Sequence, residues 1–134
     1  MAYLDCVLAS PEKLVFEGKV RSVVVPATDG EMGILARHAA LLGALSFGEL
    51  RIEREAGARD HYFVQGGGFV EVASGKVTIL ATEVESLGSI DREEAEERLR
   101  QVRESAPRTS DVNARESHQQ AVAAAKRRVQ LAKK

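Results

Sequence analysis

Tryptophan is absent from this 134-residue chain, and phenylalanine and tyrosine contribute four and two residues. A core made from such a sequence must be aliphatic. With so few rings there is also no stacking platform for single-stranded nucleic acid. Cysteine occurs once, as Cys6, which excludes an internal disulfide; no zinc-type spacing exists either, and such usage fits a reducing compartment. A basic excess is missing as well. Lys and Arg number 19 against 20 Asp and Glu, a net charge of −1, unlike a dedicated nucleic-acid binder. No apolar run approaches the roughly 20 residues that cross a bilayer. Any membrane association is therefore expected through a partner. The opening "MAYLDCVLAS" alternates like a strand rather than forming the apolar run of a signal peptide.

Catalytic constellations are lacking too. His38, His61 and His118 are scattered, with no cysteine or paired carboxylate at ligand spacing, so no metal is expected. No serine sits in a nucleophile elbow. "VQGGGFV" has no Lys-Ser/Thr after its glycines and leads into a strand, so it reads as a turn or a close backbone approach rather than a phosphate loop. A small enzyme is disfavoured on these grounds.

Two textures are present. In residues 1–88, "YLDCVLA" alternates with Leu4, Cys6 and Leu8 on one face. "KVRSVVVP" is expected to stop at Pro26, and "GELRIERE", "DHYFVQ", "GFVEVA" and "KVTILA" follow, separated by turn clusters. Many short strands at such spacing predict an all-β sandwich or barrel. From Ser89 the period becomes helical. Asp91 with Glu94, and Asn113 with Glu116, have the spacing of capping boxes. Ala95, Leu99 and Val102 form one narrow stripe; Ala114, His118, Ala121, Val122, Ala125, Val129 and Ala132 form a second. Pro107 in "SAPRTSD" breaks the helix between them, which predicts an antiparallel helical hairpin over 89–134. Charge divides at the same place, −4 for residues 1–88 and +3 for 89–134.

An alanine seam buries little apolar surface, each missing methylene forgoing ~0.8 kcal/mol. The hairpin is therefore expected to be marginal alone, and a marginal element suits a switch. Its terminal "AVAAAKRRVQLAKK" carries five positive charges in nine residues. Among the loops, "TDGEMGILARHAALL" places Glu31 between Gly30 and Gly33 on an expected exposed crest beside apolar residues. That arrangement suits a protein contact, while an ordinary hairpin tip is the plainer reading.

Taken in order, "DGEMGILARHAALL", "GELRI", "GGGFVEVASGKVTILA" and "SIDREEAEERL" closely resemble the epsilon subunit of F-type ATP synthases, across essentially the whole chain. The resemblance implies an α+β fold of two domains. A flattened β-sandwich of about ten strands (1–88) would precede a two-helix hairpin (89–134). It implies a non-catalytic central-stalk subunit without a cofactor, bound to the gamma subunit and resting on the c-ring. Gly30, Glu31, Gly33 and His38 match the ring and gamma junction; the chain departs from the family pattern at Ala36-Arg37 and Ala40. An extended hairpin would inhibit ATP hydrolysis, with Lys126, Arg127 and Arg128 matching the basic residues that meet acidic segments of the catalytic beta and alpha subunits. The implied location is peripheral, at the cytoplasmic face of a bacterial plasma membrane or at a thylakoid membrane. Some relatives bind ATP at the hairpin, but Glu94 in "IDREEA" stands where an arginine is expected. A carboxylate there repels phosphate, so no ATP binding tighter than millimolar is expected. A free-standing β-sandwich binding module or nucleotide sensor with a helical appendage is the competing expectation, and co-purification with gamma separates the two.

Overall fold

The computed structural model describes residues 2–108 and 110–132. It divides into two compact units, Met1–Ser86 and Leu87–Lys134.

The first unit is a sandwich of nine strands: β1 (Leu4–Ala9), β2 (Leu14–Ala27), β3 (Gly30–Leu35), β4 (Leu41–Ala44), β5 (Gly48–Arg54), β6 (Arg59–Val64), β7 (Gly68–Ala73), β8 (Lys76–Ala81) and β9 (Val84–Ser86). Hydrogen bonding runs in the order β4-β7-β8-β1-β2-β5-β6-β9, with β3 on β2. All pairs are antiparallel except β1 with β8. The fourteen-residue β2 serves both layers, because its first half pairs with β1 and its second with β3 and β5. The register slips between Val20 and Ser22, and such a bulge bends the strand.

Alternation selects the core. Leu4, Cys6 and Leu8 are buried, as the sequence pattern requires, and meet Val23, Val25, Leu50, Ile52, Val70 and Ile79. Burial pushes the Cys6 thiol up to about 12, because the thiolate loses its hydration there. Four elements differ from expectation. The second strand starts earlier and continues through Pro26 to Ala27; Pro26 lies opposite Glu31 of β3, beyond the last β5 partner, where a missing N–H costs little. The segment read as a loop contains β3, so Gly33 is not a break but a ladder residue opposite Val24. Short β4 and β9 also lie where no strand was expected, their three or four residues being too few to display a period.

The glycine run acts through close approach. A Cβ on Gly68 would lie 2.0 Å from the Leu80 carbonyl oxygen, and its φ of 107° is one that L-residues rarely adopt.

In the second unit a single helical turn (Leu87–Ser89) leads to α1 (Arg92–Glu104) and α2 (Val112–Leu131). Asp91 caps α1 by accepting from the Glu93 N–H, 3.1 Å away. Asp111, not Asn113, caps α2, accepting from the Asn113 N–H at 3.0 Å. Neither box forms as expected: Glu94 turns away from its own helix start and reaches Arg128 near the end of α2. The pairing joins the start of α1 to the end of α2, as antiparallel helices require. Ala95, Ala124, Ala125 and Ala132 are buried, and Leu99, Val102, Val122 and Val129 are half-buried. Lys133 and Lys134 of the basic tail lie outside the described residues.

Candidate functional site

The loop expected to carry a partner contact begins at the β2–β3 turn. Gly30 opens β3 with φ 113°, after a two-residue connection that sets Ala27 opposite Gly30. Glu31 is exposed but not loose. The Arg51 guanidinium of β5 donates to both its oxygens, at 3.1 and 3.3 Å, and also to Glu49 at 3.4 Å. The Nδ1 of His61 donates to the other oxygen of Glu49, at 2.8 Å. Paired with Glu31 first and Glu49 second, the Arg51 guanidinium is held more firmly protonated than usual. Strand register explains the cluster, since Gly33, Val24, Arg51 and His61 lie in one row on one face.

His38 follows the other end of β3. Its N–H closes a turn on the Leu35 carbonyl at 3.1 Å, and its Nδ1 donates to the Ala39 carbonyl at 2.7 Å. The structure thus puts Glu31 and His38 toward opposite ends of β3, separated by about 13 Å of strand from Glu31 to Leu35 alone. Arg37, between them, has φ 67°. A non-glycine residue in that region is strained by about 1–2 kcal/mol.

A second surface went unread in the sequence. Register aligns Ala44, Phe69, Leu80, Ala9 and Leu14 in one row across β4, β7, β8, β1 and β2. Phe69, Leu80 and Leu14 are 43%, 39% and 56% exposed, and Leu42, one pleat away, is 72% exposed. Their signal was available: Phe69 and Leu80 are large apolar residues at the solvent-facing phase of their strands, out of step with Val70 and Ile79. The other end of the same face is charged, with Lys19, Asp5 and Lys76 aligned. An apolar band with a polar border is the kind of surface that protein contacts use.

The basic cluster of α2 is divided. Lys126 and Arg127 are exposed, and Arg127 donates to Gln130 at 3.2 Å. Arg128 is buried on the alanine face, its side chain 7% exposed, and forks onto Glu94 at 2.5 and 3.2 Å. Hydrogen bonds from Arg128 hold the Glu94 carboxyl below its usual range, against an opposing desolvation and with help from Arg98. Among the described residues, no group of His, Cys, Asp and Glu side chains is placed to hold a metal ion.

Comparison with known proteins fits this geometry. The family model described as "ATP synthase, Delta/Epsilon chain, beta-sandwich domain" matches residues 3–87. An ATP synthase epsilon chain of a Synechococcus species is 36% identical over 130 residues, covering 92% of each chain. That of Parvibaculum lavamentivorans is 42% identical over 84 residues, 63% of each chain, so this match spans under two thirds of the relative's length. Among solved structures, a chain of the Euglena gracilis mitochondrial ATP synthase (OSCP/F1/c-ring) aligns with TM-score 0.79 and 27% identity, covering 95% of this chain and 79% of that one. A chain of the Tetrahymena thermophila mitochondrial ATP synthase, central stalk and c-ring, shares the fold at TM-score 0.59 and 18% identity, over 94% and 96% of the two chains. With the sandwich matched over its full length and one relative aligned through the helices as well, the chain belongs to the ATP synthase delta/epsilon family.

Proposed function

We propose that this chain is a non-catalytic rotor subunit of the central stalk of an F-type ATP synthase, linking the catalytic head, through gamma, to a proton-driven c-ring. The observation that carries the reading is the exposed apolar band of Leu14, Leu42, Phe69 and Leu80 on a β-sandwich of this family. Such a band favours a permanent protein neighbour over a free-standing module. Gamma is the neighbour assigned to the band. Residues 1–88 form the stalk and ring domain in this reading, with Gly30, Glu31, Gly33 and His38 at the ring and gamma junction. Glu31 is presented there by Arg51 rather than by the freedom of a loop.

Residues 89–134 form the regulatory hairpin, whose Lys126, Arg127 and Arg128 meet acidic segments of the catalytic subunits and restrain hydrolysis. In this reading ATP is not a ligand tighter than millimolar, since the Glu94 carboxylate stands where the family pattern has a phosphate-facing arginine. No helix of the described residues is long and apolar enough to cross a membrane. The assigned place is peripheral, at the cytoplasmic face of a bacterial plasma membrane or, in a photosynthetic source, at a thylakoid membrane.

Reconstitution with gamma and the catalytic head tests the reading. The full chain should co-purify with gamma, and Phe69→Asp with Leu42→Asp should abolish that. Residues 1–88 should still bind yet give faster hydrolysis. A monomer indifferent to gamma, or a hydrolysis rate unmoved by the truncation, would overturn the corresponding half.

A further inference from the structure

The basic cluster and the closed hairpin make competing demands on one side chain. Arg128 is the member of the cluster that faces inward, flanked on its own helix by buried Ala124, Ala125 and Ala132. Both its terminal nitrogens are committed to the two oxygens of Glu94, 34 residues away in sequence. A forked guanidinium–carboxylate pair of this kind uses the planar edge of the arginine, so a second carboxylate cannot take that edge while the first holds it. The other buried side chains of the two helices are alanines, flanked by half-buried Leu99, Val102, Val122 and Val129; alanine lets axes approach but does little to fix one register. This ion pair joins the two helices through a contact that is specific in both direction and partner.

We propose that Glu94 is a built-in stand-in for the acidic partner of Arg128: it clasps the hairpin shut by occupying the guanidinium that the catalytic subunits would otherwise engage. This rests on the proposed inhibitory role of the cluster and adds the device that regulates it. Closed and inhibitory states then differ by an exchange of one carboxylate for another at Arg128. Because the exchange replaces like with like, its net free energy is small, and a modest change in either carboxylate shifts the populations. Half exposure of Glu94, whose side chain is 51% accessible, leaves the clasp open to competition from solvent-borne acidic groups. Arg98, one turn after Glu94 on α1, favours the same ionised state and so keeps the clasp charged.

The test uses spin labels at Glu93→Cys and Gln130→Cys, exposed positions at the end of the hairpin away from its connecting loop. Cys6 is buried and does not take the label. The parent should give a narrow interlabel distance. Glu94→Gln, which keeps the shape and removes the charge, should broaden it and deepen inhibition of hydrolysis in the reconstituted complex by roughly threefold. The exchange of Glu94→Arg with Arg128→Glu should restore the narrow distance, while inhibition is lost because an acid now faces an acidic partner. An unchanged distance in Glu94→Gln overturns the clasp even if truncation to residues 1–88 still accelerates hydrolysis. A broadened distance with unchanged inhibition overturns the competition. If truncation itself has no effect on hydrolysis, the inhibitory reading falls, whatever the distances show.

Discussion

In the β unit, Leu8, Val23, Ile34, Leu50, Ile52 and Ile79 are wholly removed from solvent; on the two helices the buried side chains are Ala95, Ala124, Ala125 and Arg128. The sandwich is held by branched aliphatic volume packed between two layers. The hairpin buries mainly alanine and carries a forked ion pair between its helices. Apolar burial is non-directional and tolerates little opening, because every gap forfeits contacts around it. An ion pair is directional and exchangeable, since another carboxylate serves equally well. The difference separates a unit suited to bearing a load from one suited to changing partners.

The largest loss of stability is expected for Gly68→Ala. A Cβ there meets a backbone carbonyl at 2.0 Å, and the β7–β8 ladder has to shift. Urea unfolding followed by circular dichroism should report a loss of about 4 kcal/mol. Leu50→Ala, which empties a fully buried site, should cost about 3 kcal/mol by the same measurement.

In the hairpin the expected effect is smaller and tied to pH. Glu94→Gln should cost about 1–2 kcal/mol, less than a fully buried pair because the carboxylate is half exposed. The sign follows from the lowered folded-state value. Glu94 is ionised and stabilising above its usual value near 4.5, and that contribution is lost as pH falls through the lowered one. Helical signal during acid titration should therefore fall later in the parent than its unfolded-state carboxylates predict, and this component should vanish in Glu94→Gln.

The smallest effect is a gain. Arg37→Gly removes the left-handed strain at φ 67° but gives the unfolded chain more freedom, leaving about 0.5 kcal/mol of stabilisation in urea unfolding.

Sequence reading succeeded where one period governs one element. Leu4, Cys6 and Leu8 alternate and are buried together, and the change to helical spacing after residue 88 is visible in Ala95, Leu99 and Val102. The same logic failed at Glu94 and Asn113, where capping spacing was present but nearer or better-placed hydrogen-bond partners intervened. Asp111 reaches the α2 start first, and Arg128 draws Glu94 across to the other helix. Gly33 failed for a related reason: glycine permits a break without requiring one, and pairing with Val24 kept the strand extended.

By itself, then, the amino-acid order determined an aliphatic β-sandwich and a helical hairpin with an alanine face, and a single cysteine excludes an internal disulfide. Those follow from side-chain type and local period, which every residue carries with it. Tertiary structure alone decided that residues 9, 14, 44, 69 and 80 share one apolar row, that Arg51 steadies Glu31, and that Arg128 is inward and paired while Lys126 and Arg127 face solvent. Each of these depends on strand register or helix rotation across long stretches of chain. A shift of one residue would send the same side chains to the opposite face.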